Sequence, residues 1–327
     1  MNRPSKRFFV LSVWALVVFG GACLALFAIA RHRIASAQSP LAGLTRSPAS
    51  TEPSQEMPLP TSRAPGANGP IVRVAVIGGM VETGFWNALA DRYRDETGVT
   101  IQLIAAGPKD HLEHAFKDGI GGIDLITMHS SDTIMNLVAD GYCIDPQPWM
   151  RNDLVIVGPP EDPAHIAGMK DAAAALSKIA DAHAMFVVHS SLGAQEVLRN
   201  ILELHAIHLD ESRLKILFLD NQRNVLKIAA QLHAYTMVGR IPFRSGKLQN
   251  EGLKLMVSGD ASLRRPYVVA ISNPARIAGV HFSEAAQLAK WMRSEPTRRW
   301  IATFGAGRLD DEPLFFPVAD DLAHFAQ

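Results

Sequence analysis

Six residues in three short stretches carry the donors from which an anion site can be built. Gly78 and Gly79 close an apolar run and offer backbone N–H groups that a ligand can approach closely. His189, Ser190 and Ser191 offer an imidazole and two hydroxyls at a helix start, and Arg240 offers a guanidinium. Amides, hydroxyls and guanidinium groups are the donors an oxyanion needs, because a buried charge left unpaired is very costly. Each residue also has a plainer reading. The glycine pair suits a tight turn, Ser190 an ordinary N-cap, His189 a polar surface or cap position, and Arg240 a structural ion pair.

Other reactive patterns are incomplete. His111 with His114, and His205 with His208, have i,i+3 spacing, but no cysteine or carboxylate set completes a metal site, so both pairs read as solvated helix faces. The Gly-Ile-Gly-Gly run ending at Gly122 lacks the Lys-Ser/Thr of a phosphate loop. There is no Gly-x-Ser-x-Gly elbow and no assignable carboxylate pair. The sequence therefore predicts no catalytic residues, no metal and no cofactor, and an enzyme is not expected.

The elements that must position these groups follow from apolar periodicity. Residues 72–77 form a strand ended by Gly78, Phe85, Leu89 and Tyr93 fall at helical spacing, and Gly98 closes that helix. A second strand covers 99–105, Leu112 and Phe116 mark a short helix, and 123–128 is the third strand. Ile134, Met135 and Val138 form a helix stopped by Gly141. Pro146 and Pro148 then hold a loop extended, and 154–157 is an unbroken apolar strand leaving one lobe for another. Continuous rather than alternating strand hydrophobicity predicts a parallel sheet covered on both faces.

The pattern then repeats, with helices at 173–180, 197–204 and 225–232 alternating with strands at 185–188 and 214–219. Strands at 253–257 and 267–271 follow, then a helix capped by Ser283 and another beginning at Ser294. In open α/β sheets ligands bind beyond the carboxyl ends of strands, which selects the loops 78–83, 107–110 and 189–193.

The 327 residues are 48% hydrophobic with zero net charge, enough for a two-lobed core and without the basic excess of a nucleic-acid partner. Residues 8–30 carry no formal charge and as a helix would rise ~34 Å, enough to span a membrane. The reading is an uncleaved signal anchor, with cleavage after Ala37 as the alternative. Residues 31–70 hold seven prolines and read as a linker. The body would then lie on the periplasmic or extracytoplasmic face, tethered to the membrane. Cys143, the one cysteine of that body, reads as a buried apolar residue.

Gly141-Tyr, Pro148, Met150, Asn152-Asp153 and the run Val155-Ile-Val-Gly-Pro159 resemble the substrate-binding proteins of tungstate-type ABC importers. Asp162-Pro163, Gly168-Met169-Lys170-Asp171, Gly259-Asp260, Asn273-Pro274 and Leu314-Phe-Phe-Pro317 extend the resemblance over most of 71–317, and the 234–236 tract before Arg240 shares it. It implies an α/β, two-lobed type II periplasmic-binding-protein fold, here preceded by one transmembrane helix. Residues 71–157 plus 264–327 would form lobe one and 158–263 lobe two, with 154–157 and 267–271 as the crossing strands. It also implies an ABC permease partner and a small anion such as tungstate or molybdate in the inter-lobe cleft.

The chain departs from that pattern where the family holds its ligand. The relatives' threonine and serine run after the first strand is replaced by Val76-Ile77-Gly78-Gly79. Their Arg-Gly-Asp-Asp-Ser-Gly-Thr-His motif is replaced by the shorter His189-Ser-Ser-Leu-Gly193-Ala-Gln195. Each hydrogen bond lost to a charged group removes ~1.5–3 kcal/mol, so losing even four costs at least ~6 kcal/mol, more than four decades of affinity. Two functions stay open on this reading: an anion receptor, or a degenerate receptor serving as a protein-interaction or sensory module of the envelope.

Overall fold

The structure is a computed structural model and describes residues 69–119, 122–129, 132–190, 192–217 and 223–318. The expected membrane anchor, nearly all of the linker and Ser191 lie outside these. Among the described residues no helix is long and apolar enough to cross a membrane.

The first half runs β1 (Ile71–Ile77), α1 (Gly78–Glu82), α2 (Phe85–Thr97), β2 (Thr100–Gly107), α3 (Lys109–Lys117), β3 (Leu125–His129), α4 (Asp132–Ala139) and β4 (Cys143–Gly158). The second continues with α5 (Ala172–Asp181), β5 (Phe186–His189), α6 (Leu192–Leu204), β6 (Leu214–Leu217), α7 (Arg223–Gln231), β7 (Tyr235–Gly239), α8 (Arg240–Arg244) and β8 (Lys254–Val257). The chain then returns through β9 (Arg264–Ser272), α9 (Phe282–Met292), α10 (Glu295–Ile301) and β10 (Phe316–Pro317).

Strand order is β2-β1-β3-β9-β4-β7-β5-β6, with β8 and β10 pairing β4. β1, β2 and β3 are mutually parallel, as are β5, β6 and β7, whereas β9 runs antiparallel to β3 and β4 antiparallel to both β9 and β7. The fold is thus α/β and two-lobed with a mixed rather than purely parallel sheet. β4 belongs to both lobes: its residues up to Asp153 pair with β9, and Leu154 onward pairs with β7.

Burial explains the unbroken apolar runs. Leu154 and Ile156 enter one core with Phe186, Val188 and Met237, while Val155 and Val157 enter a second with Val187 and Val238 on the opposite face. A strand buried on both faces has no polar position to alternate with. Lobe one has its own core, in which Phe85 lies 4.5 Å from the Phe315 ring and 6.0 Å from Trp149.

Three expectations are corrected. The loop expected around Pro146 and Pro148 is part of one 16-residue strand. The register shifts at Ile144/Gln147 and Pro148/Met150, and bulges are where a strand tolerates proline. Residues 267–271 do not cross between sheets; all pair with β3 inside the first, so the returning chain passes over between β8 and β9. Ser283 lies within α9, whose N-cap is His281.

Gly158, at the end of β4, is required by close approach: a Cβ there would meet the Tyr235 ring at 2.3 Å. That ring is fixed by its hydroxyl, which donates to Asp162 Oδ1 at 2.7 Å and accepts from Ala164 N–H at 2.9 Å.

Asp124 ties the foot of lobe one together. Fully buried, it accepts from Arg73 N at 2.8 Å, Nε at 3.0 Å and Nη2 at 2.7 Å, and from His281 N at 2.8 Å. Burial alone would raise its pKa, but the Arg73 and His281 bonds outweigh burial and hold the carboxyl below its ordinary range. A depressed pKa gives stability that is complete above about pH 4 and fades as pH falls through the folded value. We expect Asp124→Asn to unfold at lower urea concentration than wild type at pH 7, by roughly 3–5 kcal/mol. That gap should narrow below about pH 4; urea melts of the full chain across pH check both.

Candidate functional site

Strand direction brings the carboxyl ends of both sheets to one line. β3 ends at His129, opposite Tyr267 of β9; two residues nearer its start β9 presents Arg265, opposite Asn152 of β4; and Leu154 of β4 faces Gly239, the end of β7. The two edges therefore face each other across residues 152–154, where β4 changes sheets.

Lobe one supplies the cations. Lys109 opens α3 immediately after β2, with Pro108 as N-cap. Arg265 is half-buried, and its Nε donates to Asn152 Oδ1 at 2.9 Å. Among the described residues neither forms an ion pair within 4 Å. Burial and then the Arg265 charge lower the Lys109 pKa, while Asp132 of α4 and Glu196 of α6 pull it upward. Burial likewise lowers the Arg265 pKa, opposed by Tyr267 and Asp153. Glu196 lies on α6, after β5, so the Lys109 ammonium feels charge from both halves of the fold.

His129 completes the cluster. Its ring meets Tyr267 edge-on at 5.5 Å, and its Nδ1 is buried with no partner among the described residues. Burial, then Arg265, then Lys109, hold its pKa well below the ordinary value, so the imidazole is neutral. Burial also raises the Tyr267 hydroxyl pKa, so that group stays protonated.

The residues expected from sequence are distributed around this line. Gly78 and Gly79 open α1 rather than forming a turn. A Cβ on Gly78 would touch only Gly107 at 3.5 Å and one on Gly79 nothing within 4 Å, so sterics do not demand either glycine. Their N–H groups belong to a helix first turn, which has no intrahelical acceptors. His189 ends β5 and is buried, and Ser190 N–H extends the ladder by donating to Leu217 O at 2.8 Å.

Arg240 is a structural cation. It is 1% exposed, its Nε lies 2.8 Å from both Asp153 oxygens, its Nη1 donates to Asp310 Oδ1 at 2.7 Å and its Nη2 to Pro313 O. Burial opposes its charge, but Asp153 and Asp310 hold its pKa above the ordinary value. With all three nitrogens engaged, the guanidinium has little left to offer a ligand.

Lys109, His129, Arg265 and Glu196 were not singled out from sequence. Lys109 does fall in the 107–110 loop that the strand-end rule selects. Arg265 has no such signal, because it lies at the start rather than the carboxyl end of its strand and reaches the site only through antiparallel pairing. Among the described residues no group of three or more His, Cys, Asp or Glu could hold a metal. Cys143 is a buried free thiol whose pKa burial raises to about 12, which leaves it inert as a nucleophile. A hollow of about 490 Å³ opens at the far end of α8, and its cation, Arg244, already faces Asp310 at 3.4 Å.

Two lobes sharing β4, with two cations near the meeting strand ends that form no ion pair among the described residues, match the architecture of a solute-binding protein. The bacterial extracellular solute-binding protein profile matches residues 72–306, and the chain belongs to that family. Among relatives, a candidate ABC transporter anion-binding protein of Haloferax volcanii is 30% identical over 73% of this chain and 69% of its own length. The tungstate-binding protein TupA of Peptoclostridium acidaminophilum is 26% identical over 77% of this chain and 87% of its own. The structure of the tungstate-binding protein TupA from Desulfovibrio alaskensis superposes with a TM-score of 0.60 at 27% identity, covering 77% of this chain and all of that one. Sequence and fold thus both place the chain beside the tungstate-type periplasmic binding proteins.

Breaking a buried ion pair leaves an uncompensated charge, which costs roughly 3–5 kcal/mol. Arg240→Met should lose about that much in a urea melt, and Arg240→Met with Asp153→Asn should recover part of it, because the stranded carboxylate is then gone.

Proposed function

We propose that the protein is the extracytoplasmic receptor of an ABC importer and binds a small anion between its lobes. The observation that carries this reading is the pair Lys109 and Arg265, two half-buried like charges with no ion-pair partner among the described residues. Burying such charges is unfavourable unless a counter-charge arrives. An anion seated between them supplies it and draws hydrogen bonds from both.

Family membership supports the receptor role and a permease partner, and it argues against catalysis. The relatives' ligand makes tungstate the first oxyanion to try, with molybdate, its chemical analogue, beside it. The uncharged stretch at residues 8–30 supports tethering of the body to the cytoplasmic membrane. Lobe one would comprise 71–157 plus 264–327 and lobe two 158–263. Closure would be a hinge motion at the passages between them, driven by the ligand's greater affinity for the closed form. The secondary donors on this reading are Gly78 and Gly79 N–H, His189 and Ser190 at the ends of β1 and β5, with Ser191 next in sequence, and Arg240 holds the hinge.

A ligand at a hundred times its Kd stabilises the folded state by about 2.7 kcal/mol. The full chain in detergent should therefore melt higher with a saturating small anion, and Lys109→Met should weaken that anion at least tenfold. Because the folded Lys109 pKa lies below the unfolded one, binding should weaken as pH rises through the folded value. Calorimetric titration across pH reads both. An unchanged affinity in Lys109→Met would remove the reading.

A further inference from the structure

Strand geometry sends two adjacent arginines of β9 to opposite faces. Arg264 and Arg265 stand opposite Asp153 and Asn152 of β4, and successive side chains of a strand point to opposite sides of its sheet. On one face Asp153 binds Arg240, and Arg264 stacks on the Phe316 ring at 3.7 Å, the ring that Arg240 also approaches at 5.9 Å. On the other face Arg265 meets Asn152, whose Oδ1 accepts from its Nε at 2.9 Å. Neighbouring residues of β4 thus treat their arginines differently: Asp153 neutralises the cation it binds, and Asn152 does not.

The orientation of the Asn152 amide is fixed, because guanidinium nitrogens only donate and the atom facing Nε must be the amide oxygen. Asn152 is 7% exposed, and among the described residues its Nδ2 forms no hydrogen bond. Nor do Nη1 and Nη2 of Arg265. Donors on two facing side chains are therefore left unpaired beside the step where β4 changes lobes. A carboxylate at 152 would hold Arg265 as firmly, but it would cancel the charge and put an acceptor oxygen where the amide has a donor.

Resting on the anion-receptor reading, we propose that Asn152 is a positioning residue of the site, fixing Arg265 through Nε while leaving it charged, so that Nη1 and Nη2 meet the ligand end-on. The side-on approach, which uses Nε with one Nη, is closed by the amide. Two parallel N–H groups suit an anion with two oxygens on one atom, a carboxylate or a tetrahedral oxyanion, and give less to a halide, which has a single centre. Asn152 Nδ2 supplies a further donor beside them.

The test is calorimetric titration of the full chain in detergent at pH 7 with tungstate, phosphate, acetate and bromide, on wild type, Asn152→Asp and Arg265→Lys, each with its urea melt. Asn152→Asp keeps an oxygen facing Nε, so a merely structural role predicts unchanged binding. The positioning role predicts a loss of at least tenfold for the tightest probe, with an unfolding midpoint at or above that of wild type. Arg265→Lys keeps the charge but loses the two-nitrogen edge, and should weaken the same probe at least tenfold. Bromide should bind wild type at least tenfold more weakly than that probe. Wild-type affinity in Asn152→Asp or in Arg265→Lys, or bromide within tenfold of the tightest oxyanion, would overturn the proposal and leave the receptor reading standing. Should Asn152→Asp fail to fold, Arg265→Lys and bromide decide. Failure of every probe to bind wild type would overturn both.

Discussion

The contact between Arg240 and Asp153 is the constraint on which the two-lobed arrangement turns. Asp153 is the last β4 residue paired in the first sheet, and Gly239, just before Arg240, is opposite Leu154 in the second. The ion pair therefore sits on the step where the strand changes lobes. Arg240 also binds Asp310 and Pro313, which lead into the 314–316 segment packed with lobe one, and its guanidinium lies 5.9 Å from the Phe316 ring. One side chain thus holds the crossing strand and the C-terminal segment together. A buried pair is weak evidence for net stability, but removing either partner is severe, so it specifies the junction more than it strengthens it.

That junction sorts the positive charges by environment rather than by type. Arg240 and Arg265 lie close together in the same region, yet the first has two carboxylates and a carbonyl, and the second has one amide oxygen and a lysine for a neighbour. Asp153 is already bound to Arg240 and reaches Arg265 only as a longer-range field. The buried carboxylate that could have neutralised Arg265 is committed to the hinge. Structural order at the junction and unmet charge beside it have the same origin.

How much of this was legible in the sequence depended on the lobe. In lobe one, helices α2 and α4 are followed by left-handed glycines, Gly98 and Gly141, and both stops were readable. In lobe two the same bend is made by His183, Ala206 and His233, all with positive φ. Each is followed by an N–H that reaches back five residues, Ala184 to Ile179, Ile207 to Leu202 and Ala234 to Ala229. The expected helix ends at 180, 204 and 232 still fall within a residue of those found, and what the sequence reading lacks is β7 itself, since residues 235–239 were given no strand. Periodicity found most core strands, but the site depends on antiparallel register: Arg265 and Asn152 are 113 positions apart and meet only because β9 returns beside β4.

The same register constrains how the lobes can move. Residues 152–154 are bonded on one side to β9 and on the other to β7, so a hinge that preserves both ladders must pivot about this step. Contacts near a pivot change little as the lobes swing, whereas contacts far from it must break. The Lys247–Glu82 ion pair joins α1 to the α8 turn and is substantially exposed. Exposed pairs contribute about 0–1 kcal/mol, so breaking this one costs little. Arg240, buried at the pivot, can stay bonded throughout. On the receptor reading proposed above, opening and closing are governed by the anion held at Lys109 and Arg265, beside the pivot.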